Sequence, residues 1–348
     1  MRFGIFGLII AALTLSACDG GPSSDGAGSG DDEGKMLIVF SSRHYDSDYA
    51  LYKAFEEETG IEVRTIEADG DLLVERLKAD GERSPADVIV TVDAGRLWRA
   101  EQEALFAPLE SENLNETVPA AMRHPDGLWY GLAKRARVIV YAKDRVNADQ
   151  LTGYETLADP AFKGKVCARS SGNIYNISLL AALVDRWGTE KAQSWASGVA
   201  SNFARDPLGG DTDQIKAVAA GECDIALVNH YYFARLMNDD DDKKIVENLA
   251  VYWPNSEAGV HVNVSGAGVA KHAPNPDLAR RFIEFAMTPK AQRFFAELTN
   301  EYPAVPSVEY ENAALETLGE FEEDPISLSK LGENQAEAQR LFDRAGWP

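Results

Sequence analysis

The sequence predicts an α/β protein of two lobes joined by two strands around a central cleft. Three observations predict it. From residue 36 onward short apolar runs alternate with amphipathic stretches, the pattern of a mainly parallel sheet with helices on its faces. The chain leaves one such unit near residues 134–137 and returns near 251–268, which makes two crossings between lobes. Its 348 residues, 45% of them hydrophobic, suffice for two cores.

The first eighteen residues read as a targeting segment rather than part of the fold. Arg2 gives a positive start, residues 3–15 an apolar stretch, and Ser16 and Ala17 small residues before a cut. That stretch falls short of the roughly 20 residues a membrane-spanning helix needs. Leu15, Ser16, Ala17 and Cys18 resemble a bacterial lipobox, so 1–17 is expected to be a signal peptide and Cys18 the lipidated first residue of the mature chain. Residues 18–35 are rich in Gly, Ser and Asp and have almost nothing to bury. They are expected to be a flexible tether spanning about 23 Å.

Residues 37–41 form the first strand, and 47–58 a helix with Tyr49, Leu51, Tyr52 and Phe55 on its apolar face. Gly60 stops it, and strand 61–66 follows. Residues 71–79 are a helix, 87–90 an apolar strand, and Asp93 the N-cap of a helix bearing Leu97 and Trp98. Residues 128–133 and 138–142 are two strands linked through Lys134, Arg135, Ala136 and Arg137. After a turn-rich piece at 157–163 comes strand 165–169, then helices 177–187 and 190–199. Helix 213–220 ends at Gly221, and strand 224–228 follows. Residues 238–244 are a solvated charge run. Helices 277–287 and 289–298 form a pair, and a polar, acidic segment closes the chain. Lobe 1 is therefore expected to span 36–134 and 262–310, lobe 2 135–261, and a C-terminal helical segment 311–348.

Three strand ends carry phenols: His44 and Tyr45 after the first strand, Tyr175 after strand 165–169, and Tyr231 with Tyr232 after strand 224–228. Ligands of open α/β sheets sit beyond the carboxyl ends of the strands, so these side chains are expected to form one cage. Tyr175 lies eight residues after Cys167 and Tyr231 eight after Cys223. Parallel neighbours in matching register would align both pairs, which predicts a Cys167–Cys223 disulfide.

Phenolates are hard oxygen donors that suit hard cations. With a pKa near 10 they lose their protons near neutrality only to a strongly charged ion. Ferric iron fits this better than zinc, calcium or magnesium, which favour other donors. Three or four phenolates around Fe³⁺ leave no net charge or one negative charge, so a nearby cation is expected. Arg135 comes first, followed by Arg43, Arg137 and Arg205; an arginine fork also suits carbonate or citrate.

The His44–Tyr45 pair, the run Ser171, Gly172, Asn173, Ile174, Tyr175, and the Tyr231–Tyr232 pair together resemble the periplasmic ferric-iron-binding proteins of ABC importers, the bacterial transferrin-like family. The resemblance covers nearly all of the chain after residue 35. It implies a type II periplasmic binding protein with Tyr45 from one lobe and Tyr175, Tyr231 and Tyr232 from the other. It also implies delivery to a membrane permease and its ATPase, with carbonate, citrate or water completing the iron's shell. In this family the histidine at the His44 position binds metal in some members and not in others.

A net charge of −22 excludes nucleic acid as a partner, since phosphate binding needs clustered Lys and Arg. The chain has no nucleotide-binding Gly-x-x-x-x-Gly-Lys motif and none of the zinc-protease or nucleophile-elbow motifs. A secreted metalloenzyme is thus disfavoured. A carrier of a polyamine or thiamine shares the fold, but its cleft needs carboxylates and stacked aromatics. The expected protein is a monomeric, non-enzymatic binding protein at the outer face of the cytoplasmic membrane.

Overall fold

The structure, a computed structural model, describes residues 35–255 and 259–348. The expected signal peptide and lipidation site Cys18 lie outside the described residues, as does all but the last residue of the expected tether.

The strands in chain order are β1 (Met36–Ser41), β2 (Glu62–Glu67), β3 (Val88–Val92), β4 (Phe106–Ala107), β5 (Tyr130–Ala142), β6 (Val166–Cys167), β7 (Ile225–Asn229), β8 (Leu249–Tyr252), β9 (Val262–Ala270) and β10 (Tyr302–Pro303). The sheet runs β2-β1-β3-β9-β5-β7-β6, with β4 beside β9 and both β8 and β10 beside β5. β1 is parallel to β2 and β3, while β9 is antiparallel to β3 and β5.

β5 joins the halves. Its residues from Tyr130 to Ala136 pair with β9, and those from Arg137 to Tyr141 pair with β7. Here the sequence expectation of two strands around a cationic link is corrected, because β5 is one unbroken strand of 13 residues. Arg135 and Arg137 in this stretch are both buried. Their charges are met by groups far along the chain.

The helices are α1 (Asp46–Thr59), α2 (Gly70–Asp80), α3 (Ala94–Gln102), α4 (Glu112–Thr117), α5 (Ile174–Ser201), α6 (Asp211–Ala220), α7 (His230–Asn238), α8 (Lys243–Val246), α9 (Pro276–Ala286), α10 (Pro289–Thr299), α11 (Ala313–Leu318), α12 (Leu328–Glu333) and α13 (Gln335–Ala345). Gly60 closes α1 in a left-handed turn, and the Asp93 side chain caps α3 by accepting from Gly95 N. α5 departs from helical geometry at Gly188, whose φ of 76° breaks the run where two helices were expected. Tyr49 does not belong to the apolar face of α1; it is exposed, and its hydroxyl meets Glu67. Among the described residues no helix is long and apolar enough to cross a membrane.

Each half has its own core. Leu37, Val39, Phe55, Val88, Phe282 and Phe295 centre the first, and Ile139, Leu179, Leu180, Trp195, Ile225 and Leu227 the second. The C-terminal segment is less polar in effect than its composition suggests. Leu328 and Leu331 bury against Leu97 and Ala100 of the first half, and Leu341, Phe342 and Trp347 enter the core of the second.

A disulfide joins Cys167 and Cys223, with Cα atoms 6.0 Å apart. The register behind the expectation is different, however. β6 and β7 are parallel, but Cys167 faces Ala226, and Cys223 precedes β7. The two cysteines meet across a stagger of three residues rather than side by side.

Candidate functional site

Tyr45 is the N-cap of α1, at the turn where β1 gives way to helix. Its backbone N–H donates to Asp48 Oδ2 at 2.9 Å, so the residue is fixed by its own helix. Arg43, two residues earlier and one of the expected counter-cations, is fully buried. Its Nε donates to Asp48 Oδ1 at 2.7 Å, Nη2 to Glu301 Oε2 at 2.8 Å, and Nη1 to Ser265 Oγ at 2.6 Å. A buried guanidinium needs such partners, since desolvation alone is costly. Its charge lies 5.1 Å from the centre of the Tyr45 ring. Burial alone would raise the Glu301 pKa, but Arg43 and Arg135 outweigh it and hold the carboxyl below its ordinary value.

Tyr175 is the second residue of α5, so the helix N-terminus presents it. The adjacent Asn176 is buried; its Nδ2 donates to the carbonyls of Arg169 (2.9 Å) and Ser170 (3.2 Å), and its Oδ1 accepts from Arg137. Arg137 Nη1 also donates to Asp211 Oδ2 at 2.7 Å, and the same oxygen accepts from Asn229 N at 2.7 Å. Asn229 ends β7 and leads into α7, whose second and third residues are Tyr231 and Tyr232. One ion pair thus ties the Tyr175 helix to the start of the Tyr231–Tyr232 helix.

The four tyrosines converge. The Tyr231 and Tyr232 ring centres are 4.2 Å apart. Burial raises the pKa of Tyr45, Tyr231 and Tyr232 above the ordinary phenol value, and ionised neighbours, Tyr175 foremost among them, would raise each further. Such mutual influence requires proximity. The buried Tyr231 hydroxyl has no hydrogen-bond partner among the described residues. A buried polar group left unpaired is costly, and here it faces other phenols.

Arg135 Nη2 donates to Ser265 Oγ at 2.6 Å, and its guanidinium stands 5.8 Å from the Tyr175 ring. Arg137 is 5.9 Å and Arg169 5.7 Å from the same ring. Arg205 is directed elsewhere, to Glu222 at 3.0 Å and to Gln214. Sequence reasoning missed two cations: Arg169 and, against the other three rings, Arg235. Its guanidinium lies 5.7, 5.9 and 5.5 Å from the rings of Tyr45, Tyr231 and Tyr232. No carboxylate pairs with it among the described residues. The signal was legible: Arg235 follows Tyr231 by four residues and Tyr232 by three, which is one helix face.

His44 is exposed, and its ring stacks on Tyr45 at 5.5 Å. With Tyr45, Tyr175, Ser42, Arg96 and Arg169 it lines a cleft of about 440 Å³. His230 faces the other way. Its Nδ1 accepts from Ala136 N, its ring stacks on Tyr302 at 4.6 Å, and burial lowers its pKa to about 4. Among the described residues no group of three or more His, Cys, Asp or Glu side chains is placed to hold a metal. Clustered phenols with cations behind them are donors for a hard, highly charged ion.

Comparison with known proteins gives consistent relatives. Residues 83–319 match the family described as bacterial extracellular solute-binding protein. Iron uptake protein A1 of Synechocystis is 47% identical over 98% of this chain and 95% of its own. A Trichodesmium protein solved with iron and citrate ligands is 47% identical, with a TM-score of 0.86 over 90% of this chain and 100% of that one. The ferric binding protein of Campylobacter jejuni is 37% identical, with a TM-score of 0.85 over 90% and 100%.

Proposed function

The chain belongs to the bacterial extracellular solute-binding proteins, among those that bind ferric iron, and from that premise we propose that it captures Fe³⁺ in the cleft between its lobes. The iron is cargo, carried in the periplasm to a membrane ABC permease and its ATPase. Tyr45, Tyr175, Tyr231 and Tyr232 are the proposed ligands. His44, water, carbonate or citrate are candidates for the remaining positions, and the Trichodesmium relative was solved with citrate.

The observation that carries this reading is the convergence of four phenols, three of them on a guanidinium that no carboxylate neutralises among the described residues. Four phenolates around a trivalent ion leave one net negative charge, and Arg235 stands against three of the four rings. Arg135 and Arg137 stand against the fourth. Because the empty phenols keep their protons, iron must displace them, and loading releases acid. Affinity therefore falls as pH falls.

Lobe 1 is taken as residues 36–134 with 262–310, lobe 2 as 135–261, and 311–348 as a segment packed on both. The protein is proposed to be a non-enzymatic monomer tethered through a lipidated Cys18, which mass spectrometry of the mature N-terminus checks. Adding ferric citrate to purified protein should produce a visible phenolate-to-iron charge-transfer band. The Tyr231→Phe, Tyr232→Phe double variant should lose it. Full colour in that variant overturns the ligand assignment, and a colourless wild-type protein overturns the iron reading.

A further inference from the structure

The loop that delivers Tyr175 has little structure of its own. β6 is only two residues long, and residues 168–173 lie between it and α5 without regular hydrogen bonding. Besides Asn176 of α5, what holds the loop comes from the far end of the chain. Trp347 is 3% exposed, and its Nε1 donates to the carbonyl of Arg169 at 2.9 Å. Next to it, Ser171 N donates to the carbonyl oxygen of Pro348 at 2.7 Å.

The local sequence explains how Trp347 arrives there. α13 lays Ala338, Leu341 and Phe342 into the second-lobe core, then ends at Gly346 in a left-handed turn with φ 66°. That turn reverses the chain, and Trp347 N donates back to Phe342 O. The indole then sinks among Phe342 (4.8 Å), Phe203 (5.0 Å) and Trp195 (6.0 Å). A buried indole N–H needs an acceptor. The acceptor is the carbonyl of the residue whose guanidinium lines the cleft and faces the Tyr175 ring. The same carbonyl accepts from Asn176 Nδ2, beside Tyr175 in α5.

We propose that Trp347 is a positioning residue for the cleft: its indole N–H fixes the Arg169 carbonyl and so sets how Arg169 and Tyr175 are presented to the bound ion. Trp347 touches no ligand itself. The proposal rests on the ferric-iron reading for its consequence and on the loop geometry for its mechanism. Groups that orient a metal ligand from behind are typically worth about 10–100-fold in metal affinity.

Trp195 supplies the control. It sits in the same aromatic cluster, but its Nε1 donates to Tyr154 O at 2.7 Å, away from the loop. Trp347→Phe should transfer iron to a competing chelator about tenfold faster than wild type and shift the charge-transfer band, whereas Trp195→Phe should do neither. In the iron-free protein, amide exchange at residues 169–173 should accelerate in Trp347→Phe alone. Should that variant not fold, benzothienylalanine at position 347 keeps the indole shape and removes the N–H. Equal exchange and equal iron transfer in the 347 and 195 variants overturn the proposal. A wild-type protein that takes up no iron defeats the functional reading, and the exchange measurement still decides the role of Trp347 in the loop.

Discussion

One lobe brings a single phenol to the cleft and the other brings three, and the two contributions rest on different foundations. Behind Tyr45 is a dense knot of charge: Arg43 lies between Asp48 and Glu301, with Arg135 also 3.9 Å from Glu301, all of them buried. Behind Tyr175, Tyr231 and Tyr232 are Asp211, paired with Arg137 at 2.7 Å and with Arg169 at 3.9 Å, two asparagines and a disulfide. The three-phenol side forms one body through Asp211 and Asn229, whereas Tyr45 reaches that body only across the cleft. On the proposed ligand set and lobe division, an incoming ion meets most of its donors on a single lobe, and closure adds the last.

The largest test of this asymmetry compares single variants. Tyr45→Phe should still form a coloured ferric complex, while Tyr232→Phe should bind iron at least about tenfold more weakly than Tyr45→Phe, by competition with citrate. Equal losses would mean that the lobes contribute alike.

The two foundations should also differ in what they contribute to stability. Removing the charge of Glu301 leaves Arg43 buried with one carboxylate fewer, and breaking a buried pair costs about 3–5 kcal/mol. Asn176→Ala deletes two neutral hydrogen bonds to carbonyls and one charge-assisted bond accepted from Arg137, but leaves Arg137 paired with Asp211, an expected cost of about 1–3 kcal/mol. Urea denaturation of Glu301→Gln and Asn176→Ala would sharpen the contrast, and a larger loss in the asparagine variant would reverse it.

The smallest effect concerns acid. Burial lowers the pKa of His230, under the three-phenol side, to about 4, and that of His261, at the start of the second crossing, to about 3. An unfolded histidine titrates near 6.5, so as pH falls the unfolded chain takes up these protons first. Stability is full above about pH 6.5 and declines below it, down through the folded values. His261→Gln should flatten part of that decline in the iron-free protein, measured as unfolding free energy against pH.

Much of the fold was legible because period and punctuation agreed: Gly60 and Gly221 end their helices in left-handed turns, and Asp93 caps α3. Fold class and iron chemistry were readable from three strand ends bearing phenols. The failures have a common physical cause, which is that partners distant in sequence change what a residue does. Arg135 and Arg137 were read as counter-charges in a link between two strands; their place inside one continuous strand was hidden because Glu301, Ser265 and Asp211 could not be foreseen as neighbours. Composition hid the C-terminal segment, since a few buried side chains in a polar stretch anchor it to both cores. The sheet register depends on β6 being two residues long, and short strands leave stagger undetermined. Arg235 was missed for another reason: attention to strand ends passed over the next turn of the helix.

β5 and β9 have a mechanical consequence beyond connecting the halves. Arg135 and Arg137 alternate along β5 onto one face, and both stand under the Tyr175 ring. Any twisting of this two-stranded ribbon as the halves swing apart must also rotate those two guanidinium groups beneath the phenol. In the proposed ferric complex hinge and counter-charge are geared together: a swing that exposes the ion to solvent also re-aims the positive field beside its proposed ligands.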